Sequence, residues 1–244
     1  MKRLSTALAL AMLLALPAFA MTPRGEAFAS DFQMIPVMGN VPGANGAVFQ
    51  TYVALLNPTS SAFAISATLY DPNGTKKEAT INLAAGELKT YENFLQSVFN
   101  YQGGGGVTFR APNPSNRFIL NAEVRTSGTR YSTPVPSVDF APTKSRAYTP
   151  GISVNSETRT NIGCFNQSDV ANSVTAEVFD GAAVKIGTVT LNLAANAWSQ
   201  TGISNIVTNG YVKFTPSEPA ACYAVVVDNA TADGRLIPAV EFEP

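Results

Sequence analysis

Short stretches rich in β-branched and aromatic residues recur along this chain, separated by clusters of Asp, Asn, Gly, Pro and Ser. That rhythm predicts strands joined by tight turns. The strands read as Tyr52–Leu56, Ile65–Tyr70, Ala79–Leu83, Val107–Phe109, Phe118–Val124 and Val135–Phe140. Several alternate, as at Leu120, Ala122 and Val124, which marks one buried face. Between them stand Asp71-Pro72-Asn73-Gly74, Ala85-Gly86, Asn113-Pro114-Ser115-Asn116 and Ser127-Gly128, all turn signals. One segment breaks the pattern. In Tyr91–Phe99 the residues Phe94, Leu95, Val98 and Phe99 fall at helical spacing, predicting a short helix between two strands.

The same pattern is written twice. Thr51 to Asp71 lies over Thr160 to Asp180 at an offset of 109, with Asn57 meeting Asn166 and Asp71 meeting Asp180. Ala79 onward matches Val189 onward at 110, and Val107 onward matches Val212 onward at 105. Leu120 onward and Val135 onward match the segments from Cys222 and Ile237 at 102. Four blocks in one order mean two copies of one fold whose loops differ in length. Gly202 to Val207 is the reduced counterpart of the helical segment. The expectation is an all-β protein: two tandem immunoglobulin-like antiparallel β-sandwich domains, each with one short helical connection.

Composition narrows this further. Of 244 residues, 45% are hydrophobic and 14% charged, which leaves ample material for a core and excludes disorder as the main state. The net charge of −1 suggests no nucleic-acid or polybasic membrane surface. There is no histidine, which removes Ser-His-Asp and Cys-His mechanisms and most zinc sites. The first twenty residues, with Lys2 and Arg3 ahead of an apolar run and Ala18-Phe19-Ala20, read as an export signal. No later stretch is apolar enough to cross a membrane, so the mature chain is expected to be secreted: periplasmic, cell-surface or extracellular. Cys164 and Cys222 fall opposite Leu55 and Leu120 of the first copy, at core parity. In an exported chain that is the pattern of a disulfide joining the two sheets, the alternative being two free buried thiols.

Candidate chemistry is sparse. Gly103 to Gly106 has a strand after it, not the helix and Lys-Ser/Thr of a phosphate loop, and reads as a flexible connection. Asp71 and Asp180 open turns, where an aspartate caps its own backbone, while Asp139 and Glu241 sit near the ends of last strands. No loop offers calcium a full ligand set. No catalytic, cofactor-binding or metal-binding residue is therefore assigned. Asn57 with Asn166, and Asn82 with Asn192, recur in matched places, as backbone-satisfying amides or as a polar contact used twice. Asn73, Asn166 and Asn229 begin Asn-x-Ser/Thr triplets. Aromatic rings are the remaining candidates for binding. Tyr52, Tyr91, Tyr101, Tyr131 and Tyr148 meet polar or small residues in the other copy, so some should be exposed. The single tryptophan, Trp198, takes the place of Leu88 and reads first as core filling.

The stretches GANGAVFQTYVALLNPTSSAFAISATLYDPNG and RTNIGCFNQSDVANSVTAEVFDG resemble tandem immunoglobulin-like sandwich modules of exported bacterial proteins. The resemblance covers both copies and implies a fold and an exported setting. Its motifs are structural punctuation and carry no active-site signature. The organisation expected is a signal peptide over 1–20, an N-terminal extension over 21–31, and sandwiches over 32–142 and 143–244. The expected role is a non-catalytic binding or adhesion module for a polysaccharide or an envelope protein, without cofactor. The alternatives are a structural subunit of an extracellular assembly and, behind it, a hydrolase built without histidine.

Overall fold

A computed structural model describes residues 28–43, 46–129, 131–138 and 144–242. The segment expected to be an export signal, most of the expected N-terminal extension, Asp139 and the centre of the junction between copies lie outside the described residues. The first group of elements is β1 (Ala29–Ser30), β2 (Phe32–Pro42), β3 (Val48–Leu56), β4 (Phe63–Tyr70), β5 (Lys76–Leu83), β6 (Leu88–Tyr91), helix α1 (Phe94–Phe99), β7 (Gly103–Arg110), β8 (Phe118–Thr126) and β9 (Ser132–Pro134). The second group is β10 (Ala147–Val154), β11 (Thr158–Asn166), β12 (Asn172–Phe179), β13 (Lys185–Leu193), β14 (Trp198–Gly202), β15 (Val207–Pro216), β16 (Ala220–Asp228), β17 (Gly234–Pro238) and β18 (Val240–Glu241).

Each group is an antiparallel sandwich, and the same pairing scheme appears in both. In the second, one sheet runs β14-β11-β16-β17 and the other β13-β12-β15-β10-β18. In the first, β3 lies between β6 and β8, and β7 lies between β2 and β4. Here Asn40–Pro42 of β2 also pair with β3, so the two layers are hydrogen-bonded into one nine-stranded sheet. Sandwiches share an architecture without always sharing a connectivity. The last long strand of each copy, β8 or β16, pairs with β3 or β11 and not with its predecessor.

Several expectations change in detail. The whole of β2 is additional to the strands read from the sequence. It is buried on every residue from Gln33 to Asn40, so it carries no alternation to read, and Pro36 interrupts it. A register shift between Ile35 and Met38 accommodates that proline, and β10 shifts just after Pro150 in the same way. Of the expected strand Val135–Phe140, residues 135–138 are described and form none: β9 ends at Pro134, and Val138 makes a single bridge to Met34, while Phe140, like Asp139, lies outside the described residues. Val240 pairs with Tyr148 at the matching place in the second copy. Ala29 and Ser30, read as part of the extension, pair with Ile119 and Phe118.

The helical connection exists in the first copy alone. Asn93 caps α1 by accepting from the Gln96 amide, and Phe94, Leu95 and Phe99 are buried. Between β14 and β15 only Ile203 to Ile206 remain, too few for a turn of helix with entry and exit.

Two cores result. The first gathers Leu55, Ile65, Leu69, Phe94, Phe109 and Phe118, the second Ile162, Val174, Val178, Val212 and Phe214. Of the matched asparagines, Asn57 and Asn166 are local struts, while Asn82 and Asn192 are exposed. Asn57 donates to the Ser61 and Ala84 carbonyls, and Asn166 to those of Val170 and Ala194. Asp71 and Asp180 each accept two backbone amides in their own turns. Asn166 is fully buried, so its triplet offers no reachable acceptor.

Among the described residues, a hydroxyl in the second core is unsatisfied. Thr149 stands where the first copy has Ile35; both are fully buried, and the Thr149 hydroxyl has no hydrogen-bond partner. A buried lone hydroxyl costs about 1–3 kcal/mol. Thr149→Val keeps the shape and is expected to stabilise the protein by about 1 kcal/mol in urea titration; a destabilised variant would contradict this.

Candidate functional site

The seam between the sandwiches is built on the glycine run. Gly103 to Gly106 form the start of β7, not a flexible connection: Gly104, Gly105 and Gly106 are buried, and the run pairs with β2. Glycine has no side chain to show alternation, which is why the strand was hidden in the sequence. The side chains missing here make room for rings from the second sandwich. A Cβ on Gly104 would stand 2.7 Å from the Trp198 indole, and one on Gly106 2.8 Å from the Phe165 ring. Phe165 also meets Tyr70, ring centroids 5.4 Å apart. Trp198 is therefore not core filling within its own sandwich: it packs against the first core, while Leu88 at the matching place is 60% exposed.

The outer face of the β14-β11-β16-β17 sheet carries the rest of the seam. Tyr223 is fully buried and belongs to the first core cluster, although it lies on β16. Its hydroxyl accepts from the Trp198 Nε1–H at 2.8 Å and donates to Gln200 Oε1 at 3.0 Å. The Trp198 amide meets the Asp71 carbonyl, the Thr133 hydroxyl donates to the Gly234 carbonyl, and the Gln167 amide nitrogen donates to Met34 Sδ. Because this sheet is covered on both faces, residues Ile162–Asn166 are buried without a break.

Burial pushes the Tyr223 phenol well above its ordinary range, with the hydrogen bond from Trp198 opposing more weakly. A raised pKa means the folded state holds its proton more tightly. The stabilisation is complete below the unfolded value near 10 and declines as pH rises above it. Ultraviolet titration is expected to show a tyrosine that ionises only on unfolding, and Tyr223→Phe should remove that component. Titration of every tyrosine in the folded protein would contradict it.

Where the seam opens, it leaves a cleft of about 130 Å³. Its walls are aliphatic and aromatic: Val37, Val41, Phe49 and Tyr131 from the first sandwich, Trp198, Val225, Val227 and Leu236 from the second. Asn161, Gln200, Arg159 and Asp233 add polar groups. Tyr223 orients Gln200 by holding its oxygen, which turns the Gln200 amide nitrogen into the free donor. Arg159, also in the lining, donates to Asn229 Oδ1 at 2.9 Å.

Of the candidate rings, Tyr131 and Trp198 come together here, and Tyr131 is 40% exposed. The others are dispersed and engaged. The Arg125 guanidinium lies 3.7 Å from the centroid of Tyr52, held by Glu92 and Glu123. Lys77 stands over Tyr101, Tyr91 meets Phe94 edge-on, and Tyr148 meets Phe242. Burial raises the Tyr91 and Tyr101 phenols, with the charges of Glu87 and Asp71 adding to it. Sequence reasoning missed Asn161, Gln200, Arg159 and Phe49. One signal was present: Val225 and Val227 replace Glu123 and Arg125 of the first copy. Two charges exchanged for valine on an outward face mean that the face is covered.

Behind the seam, Cys164 and Cys222 are bonded, with S–S 2.08 Å. The bridge does not join the two sheets. It links directly opposed residues of neighbouring strands, β11 and β16, because β16 pairs with β11. Leu55 and Leu120 are the matching pair in the first copy. Among the described residues no group of three or more His, Cys, Asp or Glu gathers where a metal ion could sit. No helix among them is long and apolar enough to cross a membrane.

Fold and site together define a two-sandwich all-β protein with an apolar cleft at the seam. No family model and no curated protein matches the chain. Among solved structures it is similar to a glycosyl hydrolase family 2 member from Bacteroides cellulosilyticus, at 7% identity over 84% of this chain and 27% of that one, TM-score 0.19. It is also similar to a calcium-binding mutant of Bacteroides uniformis beta-glucuronidase 2, at 10% identity over 90% and 28%, TM-score 0.17. The chain spans little more than a quarter of either. At such scores neither likeness bears on what this chain does.

Proposed function

We propose that this chain is an exported, non-catalytic recognition protein whose binding site is the cleft at the seam. Of the two ligand classes expected from the sequence, the lining favours a polypeptide. The single observation that carries this is the chemistry of the walls: aliphatic and aromatic over most of their extent, with few polar groups. A sugar ring carries hydroxyls around its circumference and needs polar partners along the walls. An apolar side chain needs only the walls, while its backbone amides meet Gln200 and Asn161. The export reading rests on the N-terminal pattern and on a disulfide, which persists in oxidising compartments. Strand addition into an assembly has less support, since the edge strand β5 begins with exposed Lys76, Lys77 and Glu78.

The test selects a phage-displayed peptide library, and in parallel a glycan array, on the immobilised full chain. The same selection is run on the Tyr131→Ala/Gln200→Ala variant. Peptides with an apolar anchor that are retained by the wild type and lost by the variant support the reading. Glycans bound in the same variant-sensitive way would overturn the polypeptide assignment. Binding that the variant does not affect, or no binding in either format, would overturn the site.

A further inference from the structure

The two sandwiches dock in one direction, and the second closes the site that the first leaves open. On the first sandwich, Gly106 pairs with Tyr70, and the space above both is filled by Phe165 from the other sandwich. The matching residues of the second sandwich are Tyr211 and Phe179, which pair in the same register. There the space is filled from within: the Tyr211 and Phe179 rings stack with centroids 4.8 Å apart and planes 5° apart. One row of the donor side is duplicated as well, next to Glu123 and Arg125 where the second sandwich has Val225 and Val227. Leu88, Leu56 and Ile119 lie in one cross-strand row of the first sandwich. They occupy the places that Trp198, Phe165 and Ala221 hold on the second. That row is uncovered at Leu88.

We propose that Tyr211 is a stopper. It occupies the acceptor site of the second sandwich and so prevents a second copy of this chain from adding its open Leu88 row head to tail. The occupant excluded is a second copy because the established seam continues in that geometry: donor row of one sandwich on acceptor strand of another, a heterologous contact that propagates unless an end is closed. The first sandwich of every chain is already covered by its own second sandwich. Only the second sandwich offers an acceptor strand, and Tyr211 fills it.

Sedimentation velocity over a concentration series tests this on the full chain. Asn209→Gly/Tyr211→Gly recreates the glycine strand, and Asn209 already has a positive φ of 54° that glycine accepts. The wild type is expected to sediment as one chain. The opened variant should associate as concentration rises, its mean mass increasing at least about twofold. Adding Leu88→Arg should return it to one chain. An opened variant that keeps its fold by circular dichroism and stays a single chain would overturn the stopper, as would a wild type that associates equally. Should the opened variant not fold, Gly106→Tyr gives the first sandwich a cap of its own. It is expected to displace Phe165 and shift Trp198 emission to the red; unchanged emission would overturn the proposal.

Discussion

Gly104→Ala is expected to weaken the protein although it adds only one methyl group, and Gly104→Val to weaken it more. Within a strand, glycine to alanine ordinarily gains stability through backbone entropy. Here the new Cβ meets the Trp198 indole at 2.7 Å, well inside van der Waals contact. The ring is held at its nitrogen by Tyr223 and cannot move aside alone. Overpacking of this kind costs roughly 1–3 kcal/mol, and valine belongs at the upper end. For a chain of this size that lowers the melting temperature by about 2–4 °C per kcal/mol. Trp198 is the only tryptophan, so its emission reports the seam directly and should move to the red. A stabilised Gly104→Ala with unchanged emission would mean that the indole does not sit on β7.

Loss of the Cys164–Cys222 bond should have the second large effect. The bond closes a separation of 58 residues, which in the chain-entropy account is worth about 4 kcal/mol. Cys164→Ala/Cys222→Ala, or reduction of the wild type, should lower the urea midpoint accordingly. The first sandwich makes the matching contact with Leu55 and Leu120 and needs no bridge. Early proteolysis in the weakened protein should therefore fall within residues 147–241. Equal susceptibility of both sandwiches would show that the bond stabilises the chain in some other way. Unfolding that is insensitive to reductant would show that the bond adds nothing.

The parts of this molecule that were legible in the sequence are those written in side chains. Alternation at Leu120, Ala122 and Val124 gave a strand with one face inward, and Asp71 and Asp180 gave turns that cap themselves. The cysteines could be paired because both replace core leucines. Their placement within one sheet was not legible, since it depends on β16 lying beside β11, and connectivity leaves no local mark. Strand β2 was missed because burial on both sides erases alternation. The glycine run was misread because its meaning lies in what packs against it: four residues without side chains look like slack until Trp198 and Phe165 are laid on them. The cleft is an extreme case. Arg159, Asn161, Gln200 and Tyr131 come from separate strands and loops of two sandwiches, and only the seam brings them together. The loss of Glu123 and Arg125 equivalents at Val225 and Val227 was the one trace that a covered face left in the letters.

The cleft and the orientation of Gln200 depend on one contact of the seam, the indole of Trp198 lying against the backbone of Gly104. Nuclear Overhauser spectroscopy on the isotopically labelled full chain reads that contact without perturbing it. Strong cross-peaks between the Trp198 six-ring protons and the Gly104 Hα protons are the predicted result. A well-dispersed spectrum of the folded protein in which the indole shows only contacts within its own sandwich would contradict the account.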